Sequence, residues 1–471
     1  MEPGSEAQAS PSIALPGLLA AGSKHAATIH TVADQETLSG WGLIERPGRE
    51  VRSEDLAAIT VGAGLTRGLG RSYGDSSLPA AGTWVAASPL ADRLLAFDQQ
   101  SGILHAEAGL SLREINRLFW PRLWTSPVLP GTQDITLGGM VAADVHGKNH
   151  HVDGTFGRHL EWLLIRLADG EIVTTSRERD PDLFRATVGG MGLTGHILEV
   201  AVRLQPIPSP WIRAESERIA GVDEFVSALR EAATDWPFTV GWFDALATGT
   251  KLGRGILMKG RWAQPAEAPV EPPSPKMRLA VPFTLPNWTL NRLSMWAFNK
   301  LYFHLHPRGV KTGIVHPESF FHPLDVIRHW NRIYGRRGFT QHQCVLPEGE
   351  RPGAARRLLE ELTARGGLSC LCVIKDCGEQ GEGLLSFPRP GITIAIDLPA
   401  GPGIQELIDG LNRRVLAEGG RIYLAKDTFA RAEDFQAMEP RLAEFEQLRR
   451  RWDPAGRLSS AQAVRLFGDG A

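Results

Sequence analysis

Three glycine-rich passages carry residue types that could hold a phosphorylated ligand. Gly68-Leu69-Gly70 is followed by Gly74, Pro130-Gly131-Thr132 by Gly138-Gly139, and Gly189-Gly190 by Gly192 and Gly195. Glycine lets a backbone approach a ligand closely and take up dihedrals closed to other residues, so that successive N–H groups can face phosphate oxygens. Three such loops, each at a strand end, suit a long, doubly charged ligand such as a dinucleotide. The same glycines also suit hairpins and bulges, and taken singly the loops leave both readings open. A nicotinamide fingerprint is excluded for the first loop, because it would have to open directly into a helix. Asp75-Ser76-Ser77-Leu78-Pro79 reads as loop instead, and strands separate it from Asp98.

The elements that must position these loops follow from periodicity. From Thr37 onward, WGLIERP, GTWVAAS, RLLAFD and ILHAEAGLS read as strands between turns. Leu112, Ile115, Leu118 and Phe119 recur at helical spacing behind Ser111, an N-cap residue type. LEWLLIRLADGEIVTTS predicts a hairpin turned at Asp169-Gly170, and DPDLFRAT a short capped helix. After the proline-marked break at 206–210, a helix is expected in VDEFVSALREAATDW and a strand in FTVGWFDAL. Further helices are expected near 325–334, over 404–417 and in the charged C-terminal stretch. TQHQCVLP, SCLCVIKD and GITIAIDLP predict strands. At 471 residues the chain exceeds what one core usually organises, so two lobes of an α+β protein are expected.

Composition narrows the class. With 42% hydrophobic and 22% charged residues, 51 Gly and 32 Pro, the chain is globular and loop-rich, not disordered, collagenous or coiled-coil. Fifty-one Lys+Arg against 53 Asp+Glu leave a net charge of −2, without the basic excess of a nucleic-acid binder. The four cysteines are too few for a disulfide framework. Cys370 and Cys372 are expected on one face of a strand with Cys377 in the next loop, and no second pair completes a zinc site, so a reducing compartment fits best. The acidic start, broken at Pro16, makes a poor signal peptide, and residues 1–35 read as a disordered extension. No stretch reaches transmembrane length, so the expectation is a cytoplasmic protein, at most peripheral at the inner face of the plasma membrane. From 272 to 317 there is no acidic residue, while Lys276, Arg278, Arg292, Lys300, Arg308 and Lys311 are interleaved with Phe283, Trp288, Trp296, Phe298, Tyr302 and Phe303. Such a segment suits an anionic lipid interface, or equally a helix whose aromatics are core.

TRGLGRSYGD, PGTQDITLGGMVAADVHGKNHH, GTFGRH, DLFRATVGGMGLTGHI and YLAKD together resemble the FAD-binding oxidoreductases of the vanillyl-alcohol-oxidase type. Within that group they resemble the decaprenylphosphoryl-β-D-ribose 2-oxidase family, the blocks running in order over about 41–426. The resemblance implies a two-part FAD-binding domain of the PCMH type, 36–208 plus 419–471. A cap domain for substrate, 209–418, would be built on an antiparallel sheet over the flavin.

The resemblance also implies roles. Arg67, Gly68, Leu69, Gly70, Arg71, Ser72, Tyr73, Gly74 and Asp75, with Pro130, Gly131, Thr132, Gly138 and Gly139, would hold the pyrophosphate and ribityl chain. Asp144, His146, Gly147, Lys148 and Asn149 would border the ring and the sugar, and Gly190, Gly192, Gly195 and Ile197 the adenosine. Relatives with covalent flavin carry a histidine where Arg71 stands, so FAD is expected to be non-covalent. Flavin oxidation of an alcohol needs a partner for the hydroxyl proton and positive charge beside the ring. Lys426 is the candidate for both tasks, either as base or as electrostatic partner, with Tyr73 and His146 beside it. Gln341 and Gln343 on one strand face, Lys375 on a later strand, Lys148, and Trp242 as a wall would meet a sugar phosphate. Two departures from the family are Ala395, where a cysteine attacked by nitroaromatic inhibitors is found, and the absence of a tyrosine near Phe321.

The implied activity is oxidation of the 2-hydroxyl of a polyprenyl-phosphoryl ribose, with a short-chain-type reductase completing epimerisation to the arabinose form. The same loops would serve a sugar-alcohol or D-arabinono-1,4-lactone oxidase using oxygen. A flavin-free scaffold is the third reading, and a colourless purified protein would mark it.

Overall fold

The computed structural model describes residues 30–31 (backbone), 37–274, 279–347, 349 and 352–469. The expected extension over 1–35 falls almost wholly outside them, as do Lys276 and Arg278. The fold is α+β. Glu50–Arg52, Val85–Ala87 and Leu65–Arg67 pair in parallel in a small sheet. Beside it, Ile172–Thr175, Leu160–Arg166, His196–Arg203, Ile103–Glu107 and Leu94–Asp98 form an antiparallel sheet in that order. The hairpin turns at Gly170, whose φ of +101° is closed to most side chains. Ser111 caps the helix Leu112–Phe119 by accepting from the Glu114 N–H.

The larger sheet is antiparallel and eight-stranded, and its long strands run Lys311–Val315, Ile212–Ile219, Gly255–Trp262, Phe238–Phe243, Cys372–Cys377, Gly391–Pro399 and Phe339–Leu346. Side chains alternate across a strand, so each strand has two different faces. Cys344, Cys372, Ile374, Ile394 and Ile396 pack against the helices Val222–Asp235, Ala354–Ala364 and Ile404–Ala417 through Phe225, Leu229, Leu358, Ile408 and Leu411. The residues between them point the other way. Gln341 lies opposite Asp397, Gln343 and Val373 flank Ala395, and Lys375 pairs with Thr393. One face is therefore apolar core, and the other carries the polar residues noted in these strands.

Three local expectations are corrected. Residues 325–334 form two 3₁₀ turns, Pro323–Val326 and Trp330–Tyr334, instead of an α-helix. His329, at φ +57°, interrupts them, and the Asp325 carboxylate is tied to the Gln133 N–H at 2.8 Å. The helix Pro181–Thr187 has no side-chain cap, because Asp180 sits at φ +50° and meets the helix through its carbonyl, which accepts from the Phe184 N–H and the Thr175 hydroxyl. Cys377 lies inside its strand and Cys370 before it, since the ladder with Gly391–Pro399 begins at Cys372.

Two buried polar clusters join distant segments. Arg465, on the helix Ala461–Phe467, pairs with Asp75 and Asp427 at 2.8 Å each and donates to the Ala430 carbonyl at 2.6 Å. Its partners end the first glycine loop and follow Lys426. The Tyr73 N–H donates to the Ala425 carbonyl at 2.9 Å, and a Cβ on Gly74 would lie 1.9 Å from the Asp427 oxygen. Removing one member of such a pair strands buried charge, so Arg465→Ala should lower stability by about 3–5 kcal/mol in chemical denaturation. The second cluster centres on Asp144, fully buried at φ +37°, which accepts from the Gly157 N–H at 2.8 Å and from the Ser386 hydroxyl. Burial pushes its carboxyl up to about 6 from 3.8. The folded state then holds a proton that the unfolded chain releases first, so stability falls as pH rises from about 4 to about 6. The loss should be roughly 2–3 kcal/mol by linkage. Urea titrations across that window should show a shallower slope in Asp144→Asn than in the wild type, by that amount, the remainder coming from the likewise raised Asp325 and Asp397.

Candidate active site

Four elements converge at one end of the polar sheet face. They are the loop after Leu65–Arg67, the segment 144–150, the strands carrying Gln341, Gln343, Lys375 and Asp397, and the turn 423–427. Among the described residues, the N–H groups of Gly68, Leu69, Gly70, Arg71 and Ser72 donate to no other group of the protein. Arg71 folds back over its own loop, with Nη1 donating to the Leu69 carbonyl at 3.1 Å, Nη2 3.7 Å from Asp134, and the guanidinium 4.3 Å above Trp41. Arg67 is committed to structure, pairing with Glu50 at 3.1 Å and donating to the Ser39 carbonyl at 2.8 Å.

The other two glycine loops differ from each other. The Gly131 and Thr132 N–H groups also lack a partner in the described protein, and a Cβ on Gly131 would meet nothing within 4 Å. Gly138 and Gly139 start the helix Leu137–Ala142, whose cap Thr136 accepts from Gly139 at 3.2 Å. The third loop uses its leading donors internally, Gly189 on Val141, Gly190 on Thr187 and Met191 on Ala142, while the N–H groups of Gly192 and Gly195 have no partner among the described residues. Its glycines relieve clashes within the protein: a Cβ would lie 2.0 Å from the Ala186 oxygen at Gly190 and 2.3 Å from Ile165 Cγ2 at Gly195. Gly192 is at φ +81°, and Ile197 is buried in its strand. The unpaired amides of the first two loops fit the diphosphate of a dinucleotide.

The catalytic candidates come together. Lys426 Nζ lies 3.9 Å from the centre of the Tyr73 ring, itself edge-on to Phe339 at 5.2 Å. Burial pushes the Tyr73 hydroxyl well up, and Lys426 is pulled below 10.5 by burial, partly opposed by the Asp397 charge and reinforced by Lys375. Burial in turn raises Asp397, whose carboxylate accepts from Gln341 and, at 3.4 Å, from the Tyr334 hydroxyl. His146 is buried and held neutral by burial and by the fields of Lys375, His150 and Lys426. Its Nε2 faces the Gln343 amide nitrogen at 3.1 Å, and its Nδ1 has no partner. An accepting Nε2 leaves the proton on Nδ1. Tyr423 walls off the ring, stacked on Phe387 at 4.8 Å and fixed by its hydroxyl to the Ala143 carbonyl at 3.0 Å.

Lys148 donates to the Phe321 carbonyl at 2.7 Å, and burial, with Lys375 nearby, pulls it down to about 7. Lys375 is likewise lowered by burial. Its neighbour Asp376 is directed to His151 and Thr239. Among the described residues, none of Lys148, Lys375 and Lys426 forms an ion pair. Trp242 lies on the same sheet face, opposite Val373, with its Nε1 on the Cys370 carbonyl at 3.0 Å. Gly147 packs against Leu129, and Asn149 holds the Pro127 carbonyl at 2.7 Å. The Asp75 carboxylate faces Arg465, and the fully buried Phe321 ring lies in the core with Phe238. Asp397, Thr393 and Tyr334 were not among the expected site residues. A single acid at alternating spacing from Ala395 in GITIAIDLP was the signal for the first.

A FAD binding domain model matches residues 55–176. The chain is 35% identical to the decaprenylphosphoryl-β-D-ribose oxidase of Mycolicibacterium smegmatis, over 88% of this chain and 92% of that protein. It is 31% identical to an uncharacterized protein in the mprA 5′ region of Streptomyces coelicolor, over 76% of this chain and all of that one. A putative D-arabinono-1,4-lactone oxidase of Neurospora crassa is 28% identical over 30% of this chain and 25% of its own length. With a FAD-binding module and a relative matched over nearly its whole length, the chain is a FAD-dependent oxidoreductase that belongs to the decaprenylphosphoryl-β-D-ribose oxidase family.

Proposed function

We propose that this enzyme oxidises the 2-hydroxyl of a polyprenyl-phosphoryl ribose to the 2-keto sugar, and that a short-chain-type reductase then completes epimerisation to the arabinose form. The observation that carries this reading is the convergence of Lys148, Lys375 and Lys426 without an ion pair. A substrate with an anionic phosphate beside its sugar answers that charge, and a free polyol does not. Residues 36–208 with 419–471 serve as the FAD-binding domain and 209–418 as the cap, whose polar sheet face covers the site. The N–H groups of 68–72 and 131–132 hold FAD, without covalent attachment, since Arg71 replaces the attachment histidine. Bound there, FAD supplies the two-electron acceptor for the hydride of the carbinol carbon.

The remaining tasks fall to side chains. Lys426, made less basic by burial, accepts the hydroxyl proton in its neutral form, and Asp397 tunes it through space. Tyr73 supports the amine with its ring. The Nδ1–H of His146, its tautomer set by Gln343, donates to a substrate oxygen. Lys375 and Lys148 take the phosphate, and Trp242 closes one side. A polyprenyl carrier is confined to a bilayer, so the site must work at a membrane surface. Among the described residues no helix is long and apolar enough to cross one.

Lys426→Ala should retain bound FAD, seen in its visible absorbance, while losing anaerobic bleaching by lipid-linked ribose. Bleaching at the wild-type rate would refute the role of the amine. Steady peroxide formation on free sugar alcohols, with no bleaching by lipid-linked ribose, would favour a lactone-type oxidase. Because the neutral amine is the active form, the wild-type reduction rate should rise with pH, with an inflection below the ordinary lysine value of 10.5. Asp397→Asn removes the charge that raises the Lys426 pKa, so it should move that inflection to lower pH.

A further inference from the structure

The helix Arg292–Leu305 docks on the sheet by a narrow strip. Met295 and Asn299 are buried, and Asn299 donates to Asp244 at 2.8 Å and to the Ser369 carbonyl at 3.1 Å. One turn on, Tyr302 lies edge-on to Trp242 at 4.6 Å. Asn291 and Ser294 close a capping box, so the helix starts firmly, and the contacts of Asn299 and Tyr302 fix its rotation. A helix docked this way normally turns polar residues outward. This one turns Leu293, Leu301 and Leu305 outward, at 72%, 61% and 70% exposure, with Trp296 and Phe298 on the flanks. The segment before it exposes Trp288 at 74% and Phe283 at 63%.

Charge identifies what covers this surface. From 272 to 317 the chain has no carboxylate side chain, while Arg292, Lys300, Arg308 and Lys311 are all exposed. Lys300 lies over the Trp296 ring at 4.8 Å, so that cation accompanies the apolar face. A second copy of the chain would bring the same cations against these and repel them. We infer that the Arg292–Leu305 face and the residues leading into it seat the enzyme on an anionic lipid bilayer, with leucines and tryptophans in the interface and cations at the headgroups. The contact of Tyr302 with Trp242, and of Leu290 with the aromatic cluster of Tyr73, Trp330, Tyr334 and Phe339, puts this surface beside the candidate site. The docking argument rests on the surface alone and does not depend on the substrate assigned above.

Co-sedimentation of the FAD-loaded protein tests it. Vesicles of phosphatidylcholine mixed with phosphatidylglycerol should carry the wild type down, and phosphatidylcholine alone should carry far less. Leu293→Glu with Leu301→Glu should abolish binding. Lys300→Gln with Arg308→Gln should weaken it roughly fivefold per cation. Both double variants should keep FAD and its reduction by a short-chain, detergent-free substrate, which separates loss of docking from loss of chemistry. A wild type that stays in the supernatant with phosphatidylglycerol vesicles would overturn the inference. So would a leucine variant that binds undiminished, or a wild-type dimer that this variant dissolves without any vesicle binding.

Discussion

Burying ammonium groups near one another without a paired carboxylate costs free energy, and Lys148, Lys375 and Lys426 do so together. Burial draws each toward neutrality, the field of Lys375 adds to this at Lys148 and Lys426, and burial with the fields of Lys375, His150 and Lys426 keeps His146 uncharged. The arrangement explains why Asp397, raised by its own burial, is held by Gln341 and Tyr334 instead of bonding directly to Lys426. A tight ion pair there would quench the free amine that the role proposed for Lys426 requires.

Such a cluster requires a frame that does not relax. Arg465 supplies part of it by binding two carboxylates from segments more than three hundred residues apart in sequence, locking the Lys426 turn against the first glycine loop. Asp144 supplies another part, tying the segment that bears His146 to the strand-leading loop at Ser386. The Tyr73 to Ala425 backbone bond then sets the aromatic ring under the amine. Strong interactions are thus placed just outside the site, and the weakly compensated ones inside it.

The glycine loops divide the labour of ligand binding and packing. The first two leave runs of amides unpaired, whereas the third pairs those of Gly189, Gly190 and Met191 and passes too close to Ala186 and Ile165 for a Cβ at Gly190 or Gly195. In sequence the three look alike. The distinction rests on where each N–H goes, which depends on neighbours far along the chain.

Local chemistry in the sequence was enough for much of this protein. Ser111 announced its helix, Asp169-Gly170 its hairpin, and the alternation in GITIAIDLP and TQHQCVLP their strands, because caps, turns and side-chain period act within a few residues. The motif blocks carried the family and the cofactor. Tertiary structure alone decided the strand order of the larger sheet, and with it which residues share the face of Lys375. That order pairs strands from separate stretches of chain, and a one-residue slip would invert both faces. It also decided that Asp397 acts on Lys426, that 325–334 breaks into turns around His329, and that the leucines of Arg292–Leu305 face outward. Each of these depends on burial and long-range contact, which no window of sequence contains.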